Sequence, residues 1–203
     1  MRPVTDKLLT WTNNLLSIGD QPRPSDLIFV LAGRQARKSY GLELFYRGMA
    51  PRLMLSVARF DVRKLAALPL PAPVDLLAYA KPLPVKQRYF FLSFSAHAFE
   101  VEKIRKQFWG TLSEIAALAD WVERHPETHS IQIVSSGFHL SRVRLCSEAL
   151  LPRWIKKAYI ATPHDSERET LREDRQLRTA LIRELLKLLV YWPVVRFRHW
   201  RQA

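Results

Sequence analysis

Cysteine occurs once in this sequence, at Cys146. A single thiol cannot close an internal disulfide, and it has no cysteine partner for a Cys-rich zinc site. It lies between Leu145 and Leu150 in a helical pattern, which suits a small buried hydrophobe. No apolar run reaches the roughly 20 residues that cross a bilayer. The longest, LLKLLVYWPVV near the C-terminus, is interrupted by Lys187 and Pro193. MRPVTDKLLTWTNNLLSIGD is not expected to be a signal peptide, because Asp6, Lys7, Asn13 and Asn14 break any apolar core. The G-x-G-x-x-G fingerprint, the P-loop, G-x-S-x-G, H-E-x-x-H and the EF-hand loop are all missing, as are internal repeats and low-complexity tracts. The expectation is a cytoplasmic chain whose membrane contact, if any, is peripheral.

What is present is a chain of 203 residues, enough for one domain with a real core. Hydrophobic residues make up 48% and charged residues 25%, an ordinary globular balance. The formal net charge of +13 is not ordinary. It favours acidic partners: nucleic acid, anionic lipid or phosphorylated small molecules. Nucleic acid ranks last among these, because no recognisable nucleic-acid module appears.

The pattern along the chain predicts three parts. Residues 1–25 hold a short amphipathic helix, with Leu8, Leu9, Trp11, Leu15, Leu16 and Ile18 as its apolar set, and the linker GDQPRPS. Residues 26–191 form an α/β domain. DLIFVLA is a continuous apolar run, as in a strand buried on both faces. GRQARKSYGLELFYRG has helical spacing and stops at Gly48, and APRLMLSV is a second buried strand, which completes a β-α-β unit. A proline-punctuated middle with one or two short helices precedes RYFFLSF and FEVEKIR, a hairpin about SAHA. GTLSEIAALADWVERH is a helix that Thr111 or Ser113 can cap, with Glu114 placed as in a capping box. SIQIVSS, FHLSRVRLCSEALLP and KKAYIA continue the alternation, and a long helix ending at Trp192 closes it. Residues 192–203 are a basic tail. Alternating apolar strands and helices predict a Rossmann-like, doubly wound, mostly parallel three-layer α/β sheet with an inserted hairpin.

In such sheets ligands bind beyond the carboxyl ends of the strands. Three segments should meet there: AGRQAR, GTLSE and SSGFHLSR. The last is the most informative. Free N–H groups at a helix start attract anions. Ser135 and Ser136 add hydroxyls, and Gly137 permits a tight turn. His139 and Arg142 are three apart and share a helix face. They could bind an anion and move a proton, since histidine titrates near ~6.5. The same residues also fit a serine N-cap, a histidine bonded to a loop carbonyl and a surface arginine. Gly33 is a lone glycine, and Arg34 and Arg37 lie at a helix start, where cations oppose the dipole unless an anion arrives. Elsewhere, HPETH places His125 and His129 in a loop at the opposite edge, His97 sits in the hairpin turn, and Asp26 opens a strand as a structural residue. VVRFRHWRQ interleaves basic and aromatic residues, which can stack on bases, lie on an anionic membrane or pack on the domain.

DLIFVLAG, Arg37 with Gly41 and Leu44, YRGMAPRLMLS, GTLSE, IVSSGFHLSR and RELLKLLVYW together resemble the YdcF-like (SanA/ElyC-like) family of bacteria, which carries a domain of unknown function. The resemblance covers roughly residues 26 to 191. IVSSGFHLSR matches its strongest motif, of the V-T/S-S-x-x-H-x-x-R type. The sequence departs from the pattern at Ala32-Gly33, where a glycine pair is usual, and at Ser56-Val57-Ala58, where S-G-G is usual. The resemblance implies a Rossmann-like fold with a polar pocket lined by Arg37, Thr111, Glu114, Ser135, His139 and Arg142. It also implies links to cell-envelope processes, and S-adenosylmethionine as a ligand in one branch.

The resulting expectation is a protein that binds or turns over a phosphate-bearing or nucleotide-like small molecule. Ser135, Ser136 and Arg142 would hold the anion, with Arg37, Arg34, Gly33 and Thr111 beside them. His139 would be the acid or base, and Glu114 would orient it or polarise a water. The alternative is a non-enzymatic adaptor at an anionic membrane surface that uses the basic tail.

Overall fold

The structure, a computed structural model, describes residues 19–58, 61, 65, 68–96, 98–105, 110–163 and 175–202. The expected N-terminal helix and His97 lie outside the described residues. β1 (Leu27–Val30), α1 (Gln35–Tyr46) and β2 (Arg52–Val57) form the β-α-β unit. The short helix α2 (Leu76–Ala80) and a 3-10 turn (Val85–Gln87) occupy the proline-rich middle. β3 (Phe90–Ser95) and β4 (Phe99–Lys103) follow, then α3 (Gly110–Glu123), β5 (Ser130–Ser135), α4 (Gly137–Leu150), β6 (Lys156–Ala161) and α5 (Arg175–Gln202).

The six strands lie in the order β4-β3-β2-β1-β5-β6. β1 is parallel to β2 and β5, and β5 to β6, whereas β3 is antiparallel to both of its neighbours. The sheet is therefore mostly parallel. The expected hairpin is formed by β3 and β4, and it is continuous with the sheet: β3 pairs with β2 from Arg52↔Ser95 to Val57↔Phe90. At the other edge, Asp20 donates its N–H to the Tyr159 carbonyl at 2.7 Å and accepts the Tyr159 N–H on Oδ2 at 2.8 Å. This occupies backbone groups that a bare edge strand would expose.

The alternation of side chains along each strand sorts the core into two layers. Leu27, Phe29, Met54, Phe91, Ile131 and Ile133 face α3, α4 and α5. Ile28, Val30, Leu53, Leu55, Leu92 and Val134 face α1. β1 lies between both layers, and all four of its side chains are fully buried, as its unbroken apolar run requires. Gly41 lets α1 lie close to this strand, because a Cβ there would overlap the Val30 methyl Cγ2.

Two boundaries differ from the sequence expectation. α3 already begins at Gly110, so Thr111 and Ser113 are residues of its first turn and not its cap. α5 does not stop before a tail at residue 192 but continues to Gln202, with Pro193 inside it. Proline removes one helix hydrogen bond. Tyr191 and Val195, buried on either side of it, hold the helix against the domain. No helix among the described residues is long and apolar enough to cross a membrane.

Candidate functional site

All the parallel strands end on one side of the sheet. After β1 the chain turns into α1 on one face, and after β5 it turns into α4 on the other, so a crevice opens between the ends of β1 and β5. A cavity of about 550 Å³ lies there. Ala32, Gly33 and Arg37 line it from the first turn, Ala58 from the end of β2, and Gly110, Thr111 and Glu114 from the start of α3. His139 and Arg142 come from α4, and Glu184, Lys187 and Tyr191 from α5.

Arg37 bridges the crevice. Its Nε donates to Ser136 Oγ at 2.9 Å and its Nη1 to the Ala32 carbonyl at 2.8 Å. Ser136 does stand at the N-cap of α4, but its hydroxyl caps no helix N–H and accepts from Arg37 instead. The turn before α1 is held from below. Gly33, at φ 125°, donates its N–H to Asp61 Oδ2 at 3.2 Å. The same oxygen accepts from Ala58 N–H at 3.3 Å and from Lys38 Nζ at 3.0 Å. Lys38 and Asp61 are both buried, so this one carboxylate ties α1 and the loops after β1 and β2 together. Burial lowers the Lys38 pKa, and the Asp61 carboxylate works against that shift.

His139 is held between two hydroxyls, Ser135 Oγ at 2.8 Å from Nδ1 and Thr111 Oγ1 at 3.2 Å from Nε2. Arg142 Nη1 also donates to Thr111 Oγ1. That contact leaves the threonine proton free to point at Nε2, with Nδ1 then donating to Ser135. The imidazole pKa lies well below its ordinary value. Burial is the main cause, followed by the charges of Arg37, Arg142 and Lys187. The expectation of titration near ~6.5 is therefore corrected: His139 is a neutral imidazole at physiological pH.

Arg142 is no surface arginine. Its Nε and Nη2 both donate to Glu184 Oε2, at 3.0 and 2.8 Å, and its guanidinium lies 4.9 Å from the Tyr191 ring centroid. The other Glu184 oxygen accepts from Lys187 Nζ at 2.8 Å. Arg37, Arg142 and Lys187 face Glu114 and Glu184 in this cavity, three positive charges against two negative, which leaves one positive in surplus.

The structure thus brings Gly33, Arg37, Thr111, Glu114, His139 and Arg142 to one cavity. Ser135 and Ser136 are fully buried behind its wall, where they position His139 and Arg37 rather than present hydroxyls to a ligand. Arg34 is exposed at the N-cap of α1, 5.6 Å from the Phe138 ring, and is not part of the lining. Glu114 does not orient His139, since both ring nitrogens are held by hydroxyls. Lys38, Asp61, Glu184, Lys187 and Tyr191 were not expected. A signal existed for Glu184, the one acid among the seven basic residues of α5.

The remaining candidates serve the fold. Cys146 is buried and its thiol is pushed up to about 12, as packing requires. His125 stacks on Trp121 at 3.8 Å between ring centroids, and no group of metal-binding side chains occurs among the described residues. Asp26 Oδ2 accepts from His129 N–H, Ser130 N–H and Ser130 Oγ. Comparison of the chain with protein-family models, with curated proteins and with solved structures finds no match.

Proposed function

We propose that the chain is a YdcF-like protein that binds a phosphate-bearing or nucleotide-like small molecule in the crevice at the strand C-termini. The observation that carries this reading is the convergence of Arg37, Arg142 and Lys187 on one cavity at a topological switch point, with positive charge in excess. A cavity of about 550 Å³ is of the size that encloses a metabolite. Lys187 is half exposed and tethered only at its tip, so it is the cation most free to turn from Glu184 to an arriving phosphate. Arg37 is pre-positioned by Ser136 and Ala32, which lowers the cost of ordering it on binding. The surplus positive charge fits a phosphate better than the sulfonium of S-adenosylmethionine, whose carboxylate alone would suit Arg37.

Any proton transfer belongs to His139. A neutral imidazole can take a proton from a ligand hydroxyl or from water. A bound phosphate would offset the Arg37 and Arg142 charges that hold its pKa down, so binding and proton uptake would reinforce each other.

The test is thermal unfolding of the wild type and of Lys187→Ala and Arg37→Ala against nucleotides, sugar phosphates, prenyl phosphates and S-adenosylmethionine. A ligand at about 100 times its Kd adds about 2.7 kcal/mol of stability. The expected result is a rise with a phosphate-bearing compound that is weakened in both variants. Stabilisation by S-adenosylmethionine and not by any phosphate would refute the assignment.

A further inference from the structure

The outward face of α5 is the strongest feature that the cavity does not use. Ile182, Leu186, Leu189 and Val190 are exposed between 50% and 64% among the described residues. Their spacing at i, i+4, i+7 and i+8 puts them on one stripe. Glu184, Tyr191 and Val195 are buried on the opposite side, against the domain. The helix is thus apolar on two faces, yet only one is covered by the described residues. A stripe of this kind marks an interaction surface.

Charge decides what covers it. Between Arg175 and Gln202 the helix carries Arg175, Arg178, Arg183, Lys187, Arg196, Arg198 and Arg201, against Glu184 alone. That one acid is buried and bound to Arg142 and Lys187, so it offers nothing to a partner. Two copies packed through this helix would set one strongly basic segment against another. An anionic bilayer supplies what both features lack, a negative surface for the basic residues and acyl chains for the leucines. We propose that α5 docks along the anionic surface of a phospholipid bilayer, with the Ile182–Val190 stripe inserted at the headgroup boundary. The contact runs along the helix and does not reside in a C-terminal tail. It does not depend on the ligand reading of the cavity. It would hold that cavity at the bilayer surface, because Glu184, Lys187 and Tyr191 on the inner side of α5 line it.

The full chain is sedimented with sucrose-loaded vesicles, either of phosphatidylcholine alone or of phosphatidylcholine mixed with phosphatidylglycerol. The wild type should pellet with the mixed vesicles at low salt and stay in solution with the neutral ones. Leu186→Asp and Leu189→Asp should each lower partitioning by about tenfold or more, with unchanged circular dichroism. As a second readout, brominated acyl chains should quench tryptophan emission less in Trp192→Phe than in the wild type. No pelleting at low salt overturns the proposal, as does pelleting that Leu189→Asp leaves intact. A concentration-dependent dimer dissolved by Leu189→Asp, without vesicle binding, also overturns it and assigns the face to a second copy.

Discussion

Replacing Glu184 by alanine would leave the buried Arg142 guanidinium with Thr111 and the Tyr191 ring as its neighbours and no counter-charge in contact. Removing one partner of a buried pair costs about 3–5 kcal/mol, because the survivor keeps its desolvation penalty. Here the side chains are only 9% and 10% exposed, but they border a cavity that water can enter. A cost of about 2–4 kcal/mol is therefore expected. In a chain of this length each kcal/mol lowers Tm by about 2–4 °C, so the midpoint should fall by roughly 4–16 °C. The same substitution frees Arg142 and Lys187, so affinity for inorganic phosphate should rise while stability falls. Urea unfolding and phosphate titration of the wild type, Glu184→Ala, Arg142→Ala and the double variant measure both effects. The two stability losses should be strongly non-additive, since each single change breaks the same pair. An unchanged urea midpoint for Glu184→Ala would refute the reasoning, for it would mean that Arg142 is hydrated in the folded protein.

Three further outcomes are expected. His139 binds a proton less readily folded than unfolded, so its contribution to stability is complete above ~6.5 and is lost as pH falls from there through the depressed folded pKa. His139→Asn should remove that part of the acid dependence, as unfolding free energies measured across pH will show. Asp61→Ala strands Lys38 and two backbone N–H groups, and should cost about 3–5 kcal/mol in urea unfolding, whereas Glu43→Ala, which breaks an exposed pair with Arg47, should cost under about 1 kcal/mol. Gly41→Ala should destabilise by about 1–3 kcal/mol through its clash with Val30. In a Val30→Ala background the same change should be neutral or favourable, and a double-mutant cycle tests this.

Much of this architecture was legible in the sequence because its signals are local. The apolar runs at 27–31 and 53–55, and Ile131, Ile133 and Val134 about the buried Gln132, report strands covered on both faces, and Gly48 follows the end of α1. The strand-to-helix junction at Ser135–Gly137 is read from residues that touch within one turn, and so is the shared face of His139 and Arg142. Tertiary structure decided what those residues touch from afar. Arg142 and Glu184 are 42 positions apart, Lys38 and Asp61 are 23 apart, and Arg37 and Ser136 are 99 apart. Pattern and propensity act over three or four residues, so they cannot say which charges a fold will bury together. The neutrality of His139 has the same origin, since it follows from burial and from cations on α1, α4 and α5. The continuation of α5 through Pro193 belongs there too. Local chemistry marks proline as a helix end, and only the packing of Tyr191 and Val195 on the domain overrides it.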